Sequence, residues 1–271
     1  MPPAKNEFNE AERAAHEAFA RLAAAVDDFE GYAHPHALRV AKIADEVARV
    51  YRLSAADRAS LVSAALLHDI GEMAMARDYV KRAGPLTDEE RLDLARHPVI
   101  GEQEAARVGA DRGAQLLVRW HHEWWNGAGY PDALRGEQIP LKARILRAAD
   151  AYAALTDARP HRPALTEEEA RLHLAEWAGI EFDPRVVRAL LSLRGAAELR
   201  SHAREREAAD ERVAAATEVE PVTQGANGEE PSTQATPEVE APSGEAATPA
   251  NADEGQAAEV GFGRVPPDLK L

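Results

Sequence analysis

Five histidines and two aspartates in this chain have the residue types to bind metal ions together. Imidazole nitrogens and carboxylate oxygens suit iron, manganese and comparable divalent ions, and such ions activate water for hydrolysis. A structural zinc site usually closes with four ligands, so it is a poor match for this larger set. The pattern predicts a metal-dependent hydrolase. The candidate ligands are His36, His68, Asp69, His97, His121, His122 and Asp150.

Taken singly, each of these residues has an ordinary explanation. A lone histidine on a helix, such as His36, is more often a hydrogen-bonded core residue than a ligand. Adjacent His121 and His122 are harder to explain, because neighbouring residues on a helix point about 100° apart and both rarely have incidental partners. His68 and Asp69 follow an apolar run, where polar groups are costly to bury unless they are coordinated or hydrogen-bonded. The combination favours a metal site.

Composition predicts an all-α protein with nitrogen and oxygen ligands. Of the 271 residues, 45% are hydrophobic and 5% are aromatic, which is enough for one packed core and favours helix over strand. The absence of cysteine excludes disulfides, thiolate zinc sites, iron–sulfur clusters and a cysteine nucleophile. We therefore expect a compact helical bundle.

Charge and hydropathy set expectations for location and partners. The start of the chain lacks the apolar core of a signal peptide, and no apolar run approaches the ~18 residues that span a bilayer. We expect a cytoplasmic protein with no membrane partner. The net charge of −15 is uneven, because ten acidic residues and no Lys or Arg lie in 213–263. A small anionic substrate therefore remains compatible with the rest of the chain, whereas a nucleic acid polymer is not expected.

Four segments are predicted along the chain. Residues 1–31 form a helix packed on the core, 32–195 a catalytic domain, and 196–216 a charged helical extension. Residues 217–271 form a disordered acidic tail rich in Pro, Ala, Glu and Thr, since they have too little apolar surface to offset chain entropy. The tail could recruit a protein partner or simply keep the protein soluble, and a homodimer is left open.

Helix-start signals place the candidate ligands on helices. Ser54 is a predicted N-cap, and Thr87 and Thr166 begin capping boxes. The helix from Thr87 is predicted to carry His97 and to kink at Pro98. Helices are predicted over 7–29, 35–51, 54–69, from 87 through 97, over 113–123 and 140–156, and from 166 and 183 onward.

Several motifs together resemble the HD-GYP branch of the HD phosphohydrolases. The resemblance covers roughly residues 32–193, and the set of motifs is highly specific although no single one is decisive. The motifs are His36 with Arg39-Val40, His68-Asp69-Ile70-Gly71, His97-Pro98, His121-His122-Glu123, Gly127-x-Gly129-Tyr130-Pro131, Ile139-Pro140-Leu141-x-Ala143-Arg144-Ile145, Ala149-Asp150-x-Tyr152 and Leu155-Thr156-x-x-Arg159-Pro160.

The resemblance implies a helical bundle that hydrolyses a phosphodiester of cyclic di-GMP. The product would be the linear dinucleotide pGpG, with slow further cleavage to GMP left open. All seven candidates would be ligands of two, sometimes three, divalent ions, with Asp69 as the bridge. A hydroxide held between the ions would attack phosphorus, which requires no protein nucleophile.

The resemblance also implies a substrate site. The loop 127–136 would shape the nucleotide pocket with Gly129, Tyr130 and Pro131. Tyr130 either stacks on a base or anchors the loop, and the residues alone favour the anchor.

Two basic residues would face the same substrate. Arg159 and Arg162 resemble the family's ligand-facing positions, where a guanidinium holds a phosphate or a guanine edge. The alternative is two solvated arginines at a helix end.

Glu72 departs from the family pattern, which usually has Lys at that position. An anion there would repel the substrate and remove a stabiliser of the transition state. Glu72 could instead turn outward or serve as an additional ligand. We assign Asp69 and Glu72 as the catalytic residues. Two alternative functions follow: a regulatory module that binds cyclic di-GMP with little or no turnover, or an HD phosphohydrolase for another nucleotide phosphate ester.

Further departures concern the number of ions and the ligand. Members with three ions have a Glu one turn before the residue that matches His36, and Tyr32 stands there in this chain. The sequence therefore predicts two ions. Asn126 and Ala153 fill positions that are commonly Asp, and His161 replaces a common Tyr. These changes partly counter Glu72 or mark a different ligand.

Overall fold

The computed structural model describes residues 5–82, 84–158 and 163–194. Their regular structure is helical, which confirms the all-α prediction, and the β-type pairing in these residues is one isolated bridge. Short 3-10 helices lie at Asp78–Val80 and Gly136–Gln138. The α-helices are α1 (Lys5–Glu30), α2 (His36–Val50), α3 (Ala55–Leu67), α4 (Ile70–Met75), α5 (Asp88–Leu94), α6 (His97–Arg107), α7 (Arg112–Trp120), α8 (Leu141–Thr156), α9 (Glu167–Glu176) and α10, described over 184–194.

The predicted caps start three of these helices. The hydroxyl of Ser54 accepts a backbone hydrogen bond at the start of α3. Thr87 with Glu90, and Thr166 with Glu169, form complete capping boxes at α5 and α9. Each cap satisfies backbone N–H groups that have no partner inside the helix.

The helix that begins after Thr87 does not reach His97 as predicted. It ends at Leu94, and a separate helix, α6, begins at His97 with Pro98 in its first turn. Proline lacks an N–H, so it fits a helix start better than a helix interior. The predicted kink is therefore a break between two helices.

Two further boundaries differ from the sequence prediction. Helix α7 ends at Trp120, so His121 is its C-cap and His122 lies in the turn that follows. Helix α4 begins at Ile70, directly after Asp69, although no helix was predicted there. Its six residues are too few to show an apolar periodicity.

Helix α8 is the centre of the bundle. It packs against α2, α3, α7 and α9, and every residue over 143–155 except Arg144 is buried. Helix α6 packs against both α4 and α7, and α1 contacts α2, α3 and α4. A helix buried all round is normally apolar, so Arg147 and Asp150 inside α8 need partners there.

The contact between α4 and α6 requires glycine at Gly71. A Cβ built there would lie 2.1 Å from the carbonyl oxygen of His97 and 2.8 Å from the amide nitrogen of Gly101. This close approach places Asp69, just before α4, beside His97 at the start of α6. The glycine in the His-Asp-Ile-Gly motif therefore has a packing role.

The first helix shares the core, since Phe19, Ala23 and Val26 of α1 are buried in it. None of the described helices combines the length and the hydropathy needed to cross a membrane. The predicted extension, 196–216, and the predicted tail, 217–271, lie outside the described residues.

Candidate metal centre

The structure brings all seven candidate ligands together inside the bundle. They fall into two groups, within each of which one ligand atom per residue lies within 4.8 Å of the others. Six of the residues are buried, and the side chain of Asp69 is 13% exposed. Site A comprises Asp69, His97, His121 and His122, and site B comprises His36, His68 and Asp150.

Site A is built around one oxygen of Asp69. Its Oδ1 lies 3.3 Å from Nε2 of His97 and 3.4 Å from Nε2 of His121. These two nitrogens are 3.2 Å apart. The ring of His122 meets that of His97 edge to face, with 4.9 Å between centroids.

Site B is built around one oxygen of Asp150. Its Oδ1 lies 3.3 Å from Nε2 of His36 and 3.6 Å from Nε2 of His68. The same nitrogen of His68 lies 2.8 Å from Oδ2 of Asp69. Asp69 therefore directs one oxygen to each group.

Backbone hydrogen bonds fix which imidazole nitrogen carries the proton. Nδ1 of His68, His97 and His121 each contacts the carbonyl three residues earlier, at 2.9, 2.8 and 2.7 Å. A carbonyl oxygen can only accept, so Nδ1 must donate and the neutral ring has its lone pair on Nε2. The three Nε2 atoms therefore present lone pairs to carboxylate oxygens.

Convergent lone pairs of this kind fit a cation. Despite its 2.8 Å distance from Asp69, Nε2 of His68 has no hydrogen-bond partner among the described residues. A buried acceptor without a donor costs free energy, and a metal ion would remove that cost. The donor set thus fits the divalent ions that the family motifs imply.

The pKa shifts of His122 and Asp69 agree with this fit, whereas the carboxylates of Asp69 and Asp150 outweigh burial and raise the pKa of His68 well above its usual value. Burial and the neighbouring charge of His121 hold the pKa of His122 well below its usual value. Burial acts to raise the pKa of Asp69, but the contacts with His68, His97 and His121 together outweigh it and hold that pKa well below its usual value. The ionised carboxylate and the neutral imidazole are the forms that bind metals.

Glu72 lies beside His97, on the side of the ring that faces away from the other site A residues. Its Oε1 lies 3.9 Å from Nδ1 of His97, and its side chain is only 12% exposed. Burial, followed by the charge of Asp69, raises the pKa of Glu72 to about 7. The alternative in which Glu72 turns outward is therefore wrong.

The loop after His122 packs on site A. Glu123 accepts hydrogen bonds from two loop amides, at 2.7 and 2.8 Å. A Cβ at Gly129 would lie 2.2 Å from a backbone nitrogen, so only glycine fits there. Tyr130 stacks on His122 with 4.8 Å between centroids, and Pro131 follows it through a cis peptide bond. These contacts match the anchoring role considered for Tyr130.

Three residues that sequence reasoning missed support site B. Arg147 donates through Nη1 to Oδ2 of Asp150 at 3.2 Å and through Nη2 to Glu181. Nδ1 of His36 donates to Oδ2 of Asp157 at 3.2 Å. None of the three stands out in the sequence, because Arg147 is one of four charged residues in α8 and Asp157 simply follows the Leu155-Thr156 motif.

Besides Glu72, the structure describes three of the residues that depart from the family pattern. Tyr32 stacks on the ring of His36 with 4.1 Å between centroids and 2° between planes. Asn126 accepts a hydrogen bond from the amide of Ala128 at 2.8 Å, and Ala153 is fully buried. The predicted substrate residues Arg159 and Arg162, together with His161, lie outside the described residues.

Comparison with known proteins gives consistent matches. A family model described as an HD domain matches residues 12–186. The chain is 38% identical over 199 residues to the cyclic di-GMP phosphodiesterase response regulator RpfG of Xanthomonas campestris, a match covering 71% of this chain and 51% of that protein. It is 30% identical over 172 residues to 3′3′-cGAMP-specific phosphodiesterase 2 of Vibrio cholerae, covering 63% of this chain and 33% of that protein.

A solved structure shares the fold. The crystal structure of a cyclic GMP-AMP specific phosphodiesterase of V. cholerae matches with a TM-score of 0.55 and 21% identity, over 66% of this chain and 48% of that one. The chain spans about half the length of the first curated relative and a third of the second.

Proposed function

The chain belongs to the HD-domain family, as its HD-GYP-like motifs predicted, and from this premise we propose that it is a metal-dependent phosphodiesterase that cleaves cyclic di-GMP to pGpG. The observation that carries the proposal is the carboxylate of Asp69, which directs one oxygen to site A and the other to site B. Such a bridge suits two ions held side by side.

Two divalent ions, iron or manganese, are the proposed cofactors. When bound, they supply Lewis acidity at phosphorus and activate water at neutral pH. His97, His121 and His122 would complete site A with Asp69, and His36, His68 and Asp150 would hold the ion in site B. Tyr32 supports a count of two metal ions, because its aromatic ring stacks on His36 at the position where members with three ions have a carboxylate.

Cyclic di-GMP is the preferred substrate among the cyclic dinucleotides. The relative with the larger coverage of this chain is described as acting on cyclic di-GMP, whereas others are described as specific for 3′3′-cGAMP. Gly129, Tyr130 and Pro131 would shape the nucleotide pocket, and Arg159 and Arg162 would hold phosphate or guanine. The product GMP, the cytoplasmic location, the homodimer and a protein partner for the tail stay predictions.

The direct test is a cleavage assay on metal-loaded protein. The full chain, metallated with Mn²⁺ or anaerobically with Fe²⁺, is expected to convert cyclic di-GMP to pGpG and to act more slowly on 3′3′-cGAMP. Asp88→Asn, in an 89% exposed side chain of α5, serves as the matched carboxylate control and should leave activity unchanged. The proposal fails if no linear product forms while another phosphate ester is cleaved. Three metals per chain would contradict the two-ion centre.

Glu72 favours one second candidate, a nucleotide-binding regulatory module. Its carboxyl group faces His97 beside site A, where a negative charge would oppose an anionic phosphodiester. This alternative predicts tight cyclic di-GMP binding with little turnover and a gain of activity in Glu72→Lys. Equilibrium binding and turnover measured on the same preparation separate it from the enzyme.

A further inference from the structure

Arg147 is a charged residue in the middle of the buried helix α8. Its side chain is only 4% exposed, so its charge must be balanced inside the protein. Nη1 donates to Asp150, and Nη2 donates to the equally buried Glu181. The guanidinium therefore joins a proposed ligand of site B to a second buried carboxylate.

The two oxygens of Asp150 have different surroundings. Oδ2 accepts the hydrogen bond from Arg147 at 3.2 Å, whereas Oδ1 faces the Nε2 atoms of His36 and His68 at 3.3 and 3.6 Å. Asp69 differs, because both of its oxygens lie near imidazole nitrogens. Asp69 thus has one oxygen in each ligand group, whereas Asp150 has one oxygen in site B and the other bonded to a guanidinium.

We propose that Arg147 is a positioning residue that holds Asp150 as a one-oxygen ligand of site B, an inference that rests on the proposed metal-dependent function. Arg147 acts through Asp150 and needs no contact with the substrate. The carboxylates of Asp150 and Glu181 and the guanidinium of Arg147 form an array with a net charge of −1, so a cation in site B is still attracted.

Glu181 fixes the guanidinium from the other side. The backbone carbonyl of Glu181 accepts a hydrogen bond from the amide of Trp125 at 3.0 Å. The array therefore connects α8 with the segment that follows His122. With both ends tied, the guanidinium has little freedom to leave Asp150, and planar N–H donors of this kind set the direction of a carboxylate well.

Arg144, one turn earlier in α8, offers a matched control. Its Nη1 donates to Oδ2 of Asp183 at 2.5 Å, and its guanidinium lies 5.5 Å from the ring centroid of Trp125. Asp183 is as deeply buried as Glu181. Within the described part of the chain, the hydrogen bonds and ion pairs of these two residues reach no proposed ligand.

The test compares Mn²⁺ binding in two double variants of the full chain. In Arg147→Met with Glu181→Gln, the charge of Glu181 is removed together with the guanidinium, so Glu181 is not left as an unpaired buried carboxylate and the net charge of these groups stays at −1. We expect one Mn²⁺ to bind as in the wild type and the second roughly 10–100-fold more weakly, as is typical when a group that supports a ligand is lost. Calorimetric titration gives both affinities, and Mn²⁺ per chain after desalting gives the stoichiometry.

The control, Arg144→Met with Asp183→Asn, breaks an ion pair of the same helix in which the carboxylate is buried and the guanidinium is 12% exposed. We expect a lower midpoint of thermal unfolding with both Mn²⁺ affinities retained. Equal weakening of both ions in the Arg147 double variant, or two unchanged affinities, would overturn the positioning role. So would selective loss of one ion in the Arg144 control.

If the Arg147 double variant does not fold, a single substitution tests the same role of Arg147. Arg147→Lys retains the charge but loses the planar pair of donors, so only the second ion should bind more weakly. Unchanged affinities in that variant would contradict the role of Arg147. A wild-type chain that binds fewer than two Mn²⁺ would instead overturn the proposed two-ion centre, which distinguishes the two failures.

Discussion

Sites A and B contain the same kinds of ligand, but the chain supports them differently. In site A, His97 and His121 donate through Nδ1 to backbone carbonyls at 2.8 and 2.7 Å. In site B, His36 donates to the carboxylate of Asp157, and Asp150 accepts from a guanidinium. Site A therefore relies mainly on the backbone, and site B mainly on ionised side chains.

The difference has a consequence for how each site can change. A backbone carbonyl remains when its residue is substituted, whereas a supporting carboxylate or guanidinium is lost in one mutation. Outer groups that hold metal ligands usually change affinity roughly 10–100-fold when they are removed. His68 is the exception in site B, because its Nδ1 donates to the carbonyl of Ala65 at 2.9 Å. Site B is thus the more adjustable of the two.

The largest effect is expected where the two sites meet. Asp69→Asn replaces the carboxylate that faces both groups, so both ions should be lost and turnover should fall by more than the roughly 10–100-fold typical of supporting residues. Metal content per chain and pGpG formation measure this. Retention of two tightly bound ions would show that Asp69 is not shared, and the distinction between the sites would need to be redrawn.

The clustering of the seven candidate ligands could be predicted because they stand in short motifs. His68-Asp69, His121-His122 and Asp150 each carry chemistry that is costly to bury without a partner. The prediction was wrong about local structure around two of them. His121 and His122 lie at and beyond the end of α7, where the chain can turn both rings inward, and α4 is too short for its pattern to be visible.

The supporting residues could not be predicted in the same way. Arg147 looks in sequence like one more helix arginine, and its partner Glu181 is 34 positions away. Asp157 resembles a residue after a helix end until the fold brings it to His36, 121 positions earlier. Such pairs depend on tertiary packing, which a single sequence does not encode in any local pattern.

The next prediction concerns the support of His36. Asp157→Asn keeps a hydrogen-bond acceptor for Nδ1 but removes the charge, so the ion in site B should bind about 10-fold more weakly while the ion in site A is unaffected. Arg39 also contacts Asp157, and Arg39→Met serves as the control for losing that ion pair together with the bonds from Arg39 to Thr156 and to the carbonyl of Ala153. Stepwise Mn²⁺ titration measures both affinities. Weakening of both ions together would contradict separate support.

A smaller effect is expected at the loop that packs on site A. Glu123→Gln leaves one acceptor oxygen for two loop amides and places an NH₂ group against the other, which should lower the free energy of unfolding by about 1–3 kcal/mol. Because Tyr130 stacks on His122 from this loop, KM for cyclic di-GMP should rise more than kcat falls. Urea unfolding and steady-state kinetics test the two parts. A loss of metal with unchanged KM would place the role of Glu123 in site A itself.

The smallest effect on metal binding is expected at a residue that supplies only a backbone carbonyl. Leu94→Ala removes a half-buried side chain at the end of α5 but keeps the carbonyl that accepts from Nδ1 of His97. Stability should fall by about 1–2 kcal/mol, in line with lost apolar packing, while both Mn²⁺ affinities stay at wild-type values. Mn²⁺ titration of Leu94→Ala and Asp157→Asn side by side compares support by a backbone carbonyl with support by a side-chain carboxylate. If the leucine variant loses its site A ion selectively, the side chain sets the helix end that aims the carbonyl, and site A is as open to single substitutions as site B.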